Sequence, residues 1–173
     1  MQKEYKINQV NPSKGALDFS YLLDAPAGKH GFVQAKNGHL YYEDGTRARF
    51  LGFNMATRSN AVNHELAEKL AGRFASLGVN VIRLHAADAP IGEQERSWSS
   101  CKEAPLLDYE KGTSRFFHPE GLDRFDYFVA KLKEKGIYIH IDLIVAREFL
   151  LGDELDYDTK VASCSKCYPM FNE

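Results

Sequence analysis

The stretch GVNVIRLHAADAP, residues 78–90, decides the fold that the sequence predicts. A glycine opens it, and Val79–His85 follow as a run rich in β-branched residues, which is typical of a buried strand. Because side chains alternate across a strand, Ile82 and Leu84 share one face while Arg83 and His85 share the other. One face therefore suits packing against helices, and the other carries polar groups that need partners.

The segments on both sides of this strand follow one pattern. Upstream, SNAVNHELAEKLAGRFASLG, residues 59–78, has helical spacing with Asn63 as N-cap and Gly78 past the C-terminus. Its predicted apolar stripe is Leu66, Leu70, Phe74 and Leu77, with Ala67 and Ala71 beside it. Downstream, a second helix opens at Pro119 and closes at Gly136, before the strand IYIHIDLIV. The expected helices are 64–77 and 119–135, and the expected strands are 49–54, 79–85 and 137–144.

The segment HGFVQAKNGHLYYEDGTRARFLGFN, residues 30–54, predicts a hairpin meander. Asn-Gly and Asp-Gly pairs mark its two turns. The three strands expected there are Phe32–Lys36, Leu40–Glu43 and Thr46–Asn54. The predicted division of the chain is an irregular segment 1–29, the meander 30–48, and a barrel segment 49–173.

Strands that alternate with helices predict parallel βαβ units, hence an α/β fold. A doubly wound sheet buries both faces against helices, whereas the inside of a barrel can hold polar groups that meet one another. No glycine-rich nucleotide-binding motif follows any of the strands. We therefore expect the meander to be followed by the first three strands of a (β/α)8 TIM barrel, a truncated barrel.

Candidate site residues gather where these strands end, because barrel active sites lie at the carboxyl ends of the strands. Arg83 and His85 end the second barrel strand, Asp88 starts the loop beyond it, and Asn54 ends the preceding strand. Arg147 follows the third strand.

The loop from about 87 to 118 is far longer than the few residues usual for such a connection, and long loops of this kind are usually functional. It contains the only tryptophan, Trp98. The predicted substrate-binding set is Asn54, Arg83, His85, Asp88, Trp98 and Arg147.

The composition of the chain argues against several kinds of partner and cofactor. A net charge of −2 argues against a nucleic-acid partner. No apolar run approaches the roughly 20 residues that span a bilayer, and no signal peptide is evident, which leaves cytoplasmic and secreted locations both open. The three cysteines are an odd number, and the Cys164/Cys167 pair lacks the further ligands of a zinc site, so no metal or cofactor is expected.

Three motifs together resemble the N-terminal part of the cellulase-like clan A glycoside hydrolases, family 5 and its relatives. They are EDGTRARFLGFN, then LAEKLAGRFASLGVNVIRLHAADAP, then GLDRFDYFVAKLKEKGIYIHIDL, in order and at fitting spacing over about residues 28 to 150. One departure is Ile144, where related cellulases often place a histidine.

The resemblance implies hydrolysis of β-glycosidic bonds in oligo- or polysaccharides by two glutamates, from strands 4 and 7. No catalytic residue is therefore expected within this chain. Glu173 follows Asn172 as in the family's acid/base motif, but no strand-like run precedes it. Arg83 matches the family's arginine that supports the nucleophile, although an internal bridge between Arg83 and Asp142 is an alternative.

Two other classes stay open at this stage. One is a metal-dependent hydrolase barrel that uses His85, His140 and Asp142. The other is a non-catalytic truncated domain that binds without cleaving. A truncated barrel would also leave strand edges open, so self-association is expected.

Overall fold

The structure, a computed structural model, describes residues 17–89 and 104–154. These residues form a two-stranded hairpin and a three-stranded sheet with two helices. The strands and helices in chain order are β1 Gln34–Lys36, β2 His39–Tyr41, β3 Gly52–Ala56, α1 His64–Ser76, β4 Val81–His85, α2 Pro119–Glu134 and β5 Tyr138–Ile141. Neither described helix has the length and apolar character needed to cross a membrane.

The larger sheet is parallel throughout, in the order β3-β4-β5, which confirms the predicted β/α alternation. The register places Asn54 beside Arg83 and Arg83 beside His140. Residues in register on parallel strands point to the same face, so these three side chains form one row across the sheet.

The two helices cover the opposite face of this sheet. Ile82 and Leu84 of β4 are fully buried in one cluster with residues of both helices. The helical members of that cluster are Ala67, Ala71 and Ala75 from α1, and Phe125, Phe128 and Leu132 from α2. The two helical connections therefore lie on one side of the sheet, and the row of Asn54, Arg83 and His140 lies on the other side.

The helix ends fall within one residue of their predicted positions because local signals set them. The Oδ1 atom of Asn63 accepts a hydrogen bond from the amide of Leu66 at 2.9 Å, which confirms the predicted N-cap. Pro119 takes the first helical position of α2. Gly78 and Gly136 follow the helices with φ of 74° and 81°, a backbone region that glycine enters without steric cost.

The buried stripe of α1 differs from the predicted one. Leu66 and Leu77 are about 40% exposed, while Ala67 and Ala71 are fully buried. Small residues let α1 approach α2 and the sheet closely, and the leucines then lie at the side of the contact. The spacing of apolar residues identified the helix correctly, but the stripe lies one residue further along.

The hairpin is shorter than the predicted meander. β1 and β2 pair antiparallel around Asn37-Gly38, both at positive φ as their turn requires. The third expected strand contributes only one bridge, between Tyr41 and Arg47, before the chain enters β3 of the other sheet. Tyr42 stacks on Tyr138, which places the hairpin at the amino-terminal end of β5.

Gly121 in the first turn of α2 allows the helix to approach the preceding loop. A Cβ atom there would lie 1.8 Å from the carbonyl oxygen of Pro105. In α1, by contrast, a Cβ atom on Gly72 would meet nothing within 4 Å.

We therefore expect these two glycines to respond to alanine with opposite signs. Gly121→Ala should lower the free energy of unfolding by about 2 kcal/mol, because the backbone must shift to relieve the overlap. Gly72→Ala should raise it by up to about 1 kcal/mol through helix propensity. Urea unfolding of both variants measures the difference. A stabilised Gly121→Ala variant would show that α2 is not held against this loop.

Candidate functional site

Asp142 joins Arg83 and His85 into one cluster at the carboxyl ends of β4 and β5. Arg83 binds its carboxylate with two nitrogens, Nε at 3.2 Å from Oδ1 and Nη2 at 2.7 Å from Oδ2. The Nδ1 atom of His85 lies 2.5 Å from Oδ2. The bridge that the sequence allowed as an alternative for Arg83 is therefore present, and the supporting role of Arg83 toward a nucleophile stays a prediction.

The two partners determine the ionisation of Asp142. The hydrogen bond from His85, with a further contribution from Arg83, holds the pKa of this carboxyl below its ordinary range, against the opposing effect of burial. Because an ionised carboxylate only accepts hydrogen bonds, Nδ1 of His85 must carry the proton. In the neutral ring, Nε2 is then left as an acceptor.

Arg83 carries more donors than Asp142 uses. A guanidinium has five N–H groups, and Asp142 takes up two of them. The Arg83 side chain is 43% exposed, against 13% for Asp142. Among the described residues, the cluster thus places N–H groups of Arg83 beside the imidazole of His85, and one carboxylate holds both side chains.

Asn54 and His140 lie in the same row as Arg83, one on each neighbouring strand. Asn54 is exposed, and the His140 side chain is 66% exposed with Nε2 at 3.6 Å from Oδ1 of Asp142. The sheet therefore brings Asn54, Arg83 and His85 onto one surface, as the strand alternation predicted. Their contact with a substrate stays a prediction.

Asp88 holds backbone rather than side chains. It is 6% exposed, and its two carboxylate oxygens accept hydrogen bonds from the amides of Val145 and Ala146 at 2.8 and 3.0 Å. β5 ends at Ile141 and not at the predicted 144, close to the point where its partner β4 ends at His85 and pairing stops. The structure thus gives Asp88 a turn-stabilising role, while its predicted place in the substrate-binding set stays untested.

The Tyr109 hydroxyl connects the long loop to Asp88 and to the segment that follows β5. Its hydroxyl donates to the carbonyl oxygen of Asp88 at 2.8 Å and accepts from the amide of Glu148 at 3.2 Å. Burial raises the pKa of the Tyr109 hydroxyl above its ordinary value, so it stays protonated and able to donate.

Arg147 also holds the long loop. Its Nε donates to Oγ of Ser114 at 2.9 Å, and its Nη2 donates to the Ser114 carbonyl at 2.8 Å. Ser114 in turn contacts the buried Asp153, which accepts from Thr113 as well. The predicted role of Arg147 in substrate binding stays a prediction, and Trp98 lies outside the described residues, as do all three cysteines and Glu173.

Sequence reasoning missed several groups of this region. Asp153 is the most engaged of them, with only 3% of the residue exposed. No local pattern marks it, because three of its four hydrogen-bond donors belong to Thr113 and Ser114, about 40 residues away. Asp142 could be expected from strand alternation, since it continues the face of Tyr138 and His140.

Several cavities among the described residues adjoin β5. One of about 370 Å³ is lined by Asp88, Asp142 and Arg147 together with apolar side chains that include Leu106, Phe117 and Phe125. A larger one of about 510 Å³ lies between α2, β5 and residues 27–33. Its lining lacks Arg83, His85 and Asp142, so its size says nothing about the chemistry of the cluster.

Within residues 17–89 and 104–154, no group of three or more histidine, cysteine, aspartate or glutamate side chains is arranged to hold a metal ion. His85 and His140 both approach Asp142, but the carboxylate also binds the Arg83 cation. A guanidinium at this position would repel a metal cation, so the geometry does not favour the metal-dependent alternative.

The chain is similar to solved glycoside hydrolase structures. One is a glycoside hydrolase family 5 protein from Bacteroides vulgatus, with 15% identity and a TM-score of 0.47; another is described as a glycoside hydrolase, with 19% identity and the same TM-score. Each match covers 69% of this chain and 26% of the other, so the chain spans about a quarter of their length. No family model and no curated protein matches.

A likeness of this extent assigns neither activity nor substrate.

Proposed function

We propose that this chain is the N-terminal part of a glycoside hydrolase that cleaves β-glycosidic bonds in oligo- or polysaccharides. The observation that carries the proposal is the Arg83–His85–Asp142 cluster at the carboxyl ends of adjacent parallel strands. Such strand ends are where barrel enzymes build their active sites.

The hydrogen-bonding groups of the cluster suit carbohydrate. Every sugar hydroxyl both donates and accepts a hydrogen bond. The N–H groups of Arg83 can donate to such a hydroxyl, and the Nε2 atom of a neutral His85 ring can accept from it. Asn54 adds an amide, which both donates and accepts, in the same row. Asp142 keeps Arg83 and His85 in place, so that little side-chain entropy is lost when a ligand binds.

Hydrolysis needs two carboxyl groups that these strands do not supply. None of the residues in β3, β4 or β5 is a glutamate. A retaining pair must lie about 5 Å apart across the scissile bond. We place this pair outside the described residues, and Arg83 next to the nucleophile, where its positive charge would favour the ionised carboxylate.

The experiment has a binding arm and a turnover arm. The 173-residue chain is titrated with cello-, xylo-, manno- and laminari-oligosaccharides and followed by NMR, after sedimentation velocity has shown whether open strand edges make it self-associate. The longest natural translation product that contains this chain is assayed with the same glycans and with aryl β-glycosides.

We expect shifts centred on Arg83 and His85 in the first arm, no turnover by the 173-residue chain, and turnover by the longer product. Turnover by the 173-residue chain would place the catalytic carboxyls inside it. Binding without turnover by the longer product would favour a non-catalytic carbohydrate-binding domain. The absence of both binding and turnover would refute the proposal.

A further inference from the structure

Asn60 is a buried amide at the point where β4 ends. Only 1% of the residue is exposed, and its Nδ2 donates to the carbonyl oxygen of His85 at 2.8 Å. Its Oδ1 is buried without a hydrogen-bond partner among the described residues. An unsatisfied buried acceptor is unfavourable, so global stability is a poor explanation for an amide at this position.

A short turn brings Asn60 to this carbonyl. β3 ends at Ala56, which lies in register with His85, and the 3-10 turn Thr57–Asn60 follows at once. The hydroxyl of Ser59 closes the turn, since it donates to the Ala56 carbonyl at 2.6 Å and accepts from the Ala56 amide at 3.1 Å. The end of β3 therefore fixes the backbone at the end of β4.

The backbone at His85 needs such a restraint. The next residue, Ala86, is fully buried and has φ of 53°, a left-handed conformation that costs free energy for any residue with a Cβ atom. Here the chain leaves the sheet, directly after the residue whose ring meets Asp142. A small rotation of the His85 backbone would move its ring away from the carboxylate.

We propose that Asn60 is a positioning residue: by holding the His85 carbonyl, it sets the imidazole of His85 against Asp142. Asn60 acts through His85 and touches neither Arg83 nor Asp142 itself. The role deepens the proposed function, because it concerns the same cluster, but the contact it controls exists without any ligand.

The test follows the carboxyl carbon of Asp142 by NMR titration. Asn60→Ala removes the donor, and Asn60→Leu removes it while nearly conserving volume and introducing no charge. Both variants should move the Asp142 titration midpoint upward, toward its ordinary value, because the hydrogen bond from His85 makes the largest contribution to its lowered pKa. Asn63→Ala is the matched control, since it removes an amide that caps α1 and should destabilise the fold without moving this midpoint.

The outcomes are distinct. Folded Asn60 variants that keep the wild-type midpoint would overturn the proposal, and so would an equal shift in Asn63→Ala, which would indicate general loosening. If the Asn60 variants do not fold, both substitutions are repeated with Ala86→Gly, which relieves the left-handed strain. The titration needs no glycan, so failure of carbohydrate binding leaves its result unaffected.

Discussion

Asp153→Ala is expected to lower the free energy of unfolding by about 3 kcal/mol, because its buried carboxylate accepts hydrogen bonds from four donors. Each hydrogen bond to a charged group contributes about 1.5–3 kcal/mol, and contributions at one site do not add up. Its Oδ1 accepts from the Thr113 hydroxyl at 2.7 Å and from the amide and hydroxyl of Ser114 at 2.9 and 3.0 Å. Its Oδ2 accepts from the Leu150 amide at 2.7 Å. Alanine would leave all four donors in a space that water reaches poorly.

Asp153→Asn should lose less than alanine but should not match wild type. The amide keeps an acceptor for Thr113 and Ser114, but its NH2 group would face the donating amide of Leu150. Urea unfolding gives the free energies, and hydrogen exchange at the Ser114 amide reports the local loss. Glu154→Ala is the control, because that side chain is 78% exposed and its removal should change stability by less than about 0.5 kcal/mol.

The contribution of Asp153 should also depend on pH. Burial alone would raise the pKa of this carboxyl, but the donors from Leu150, Thr113 and Ser114 outweigh it and hold the pKa below its ordinary value. A lowered pKa in the folded state means that the stabilisation is complete above the unfolded value of about 3.9 and is lost as the pH falls through the folded value. Asp153→Asn should lack this part of the acid dependence. An Asp153→Ala variant as stable as Glu154→Ala would contradict the account.

Arg83→Ala is expected to reduce kcat/KM by about a hundredfold or more in the longest natural product that contains this chain, because both orientation and charge are lost at once. The nucleophile glutamate of the proposed mechanism would lose its neighbouring cation, so its pKa should rise. Below the raised pKa it is partly protonated and cannot attack. The acidic limb of the rate profile should therefore move to higher pH.

Arg83→Lys should restore only part of the activity, since an ammonium group cannot reproduce the two-nitrogen contact with Asp142. Arg49→Ala is the matched control: Arg49 is an exposed arginine that precedes β3, at the other end of the sheet. The measurement is kcat/KM against pH, normalised to the folded fraction. If Arg83 is only structural, stability should fall while the normalised profile stays unchanged, and Arg83 would then be removed from the site.

Much of the fold could be predicted because its signals are local. Asn63, Gly78, Pro119 and Gly136 each act within one helical turn, so they place the helix ends within a residue. Strand alternation likewise assigns Ile82 and Leu84 to the helices and Arg83 and His85 to the other face.

The remaining features depend on residues that are distant along the chain. Asp88 accepts hydrogen bonds from amides 57 and 58 residues away, and no local pattern in the sequence reveals these contacts. The choice of Ala67 and Ala71 over Leu66 for the α1 contact depends on how closely α2 approaches. Strand alternation predicts Arg83 and His85 as site residues, but it does not show that Asp142, which is distant along the chain, binds both side chains.

The contacts of Asp88 with Val145 and Ala146 also affect how much the length of the intervening chain can vary. Asp88 and Val145 are joined although 57 residues separate them, so the long loop, α2 and β5 form one excursion whose two ends meet. The entropy of closing such an excursion grows only with the logarithm of its length, and doubling it costs about 0.6 kcal/mol. Insertions into this excursion are thus expected to cost far less free energy than the loss of one buried side chain, and the contacts of Asp88 would keep its two ends together.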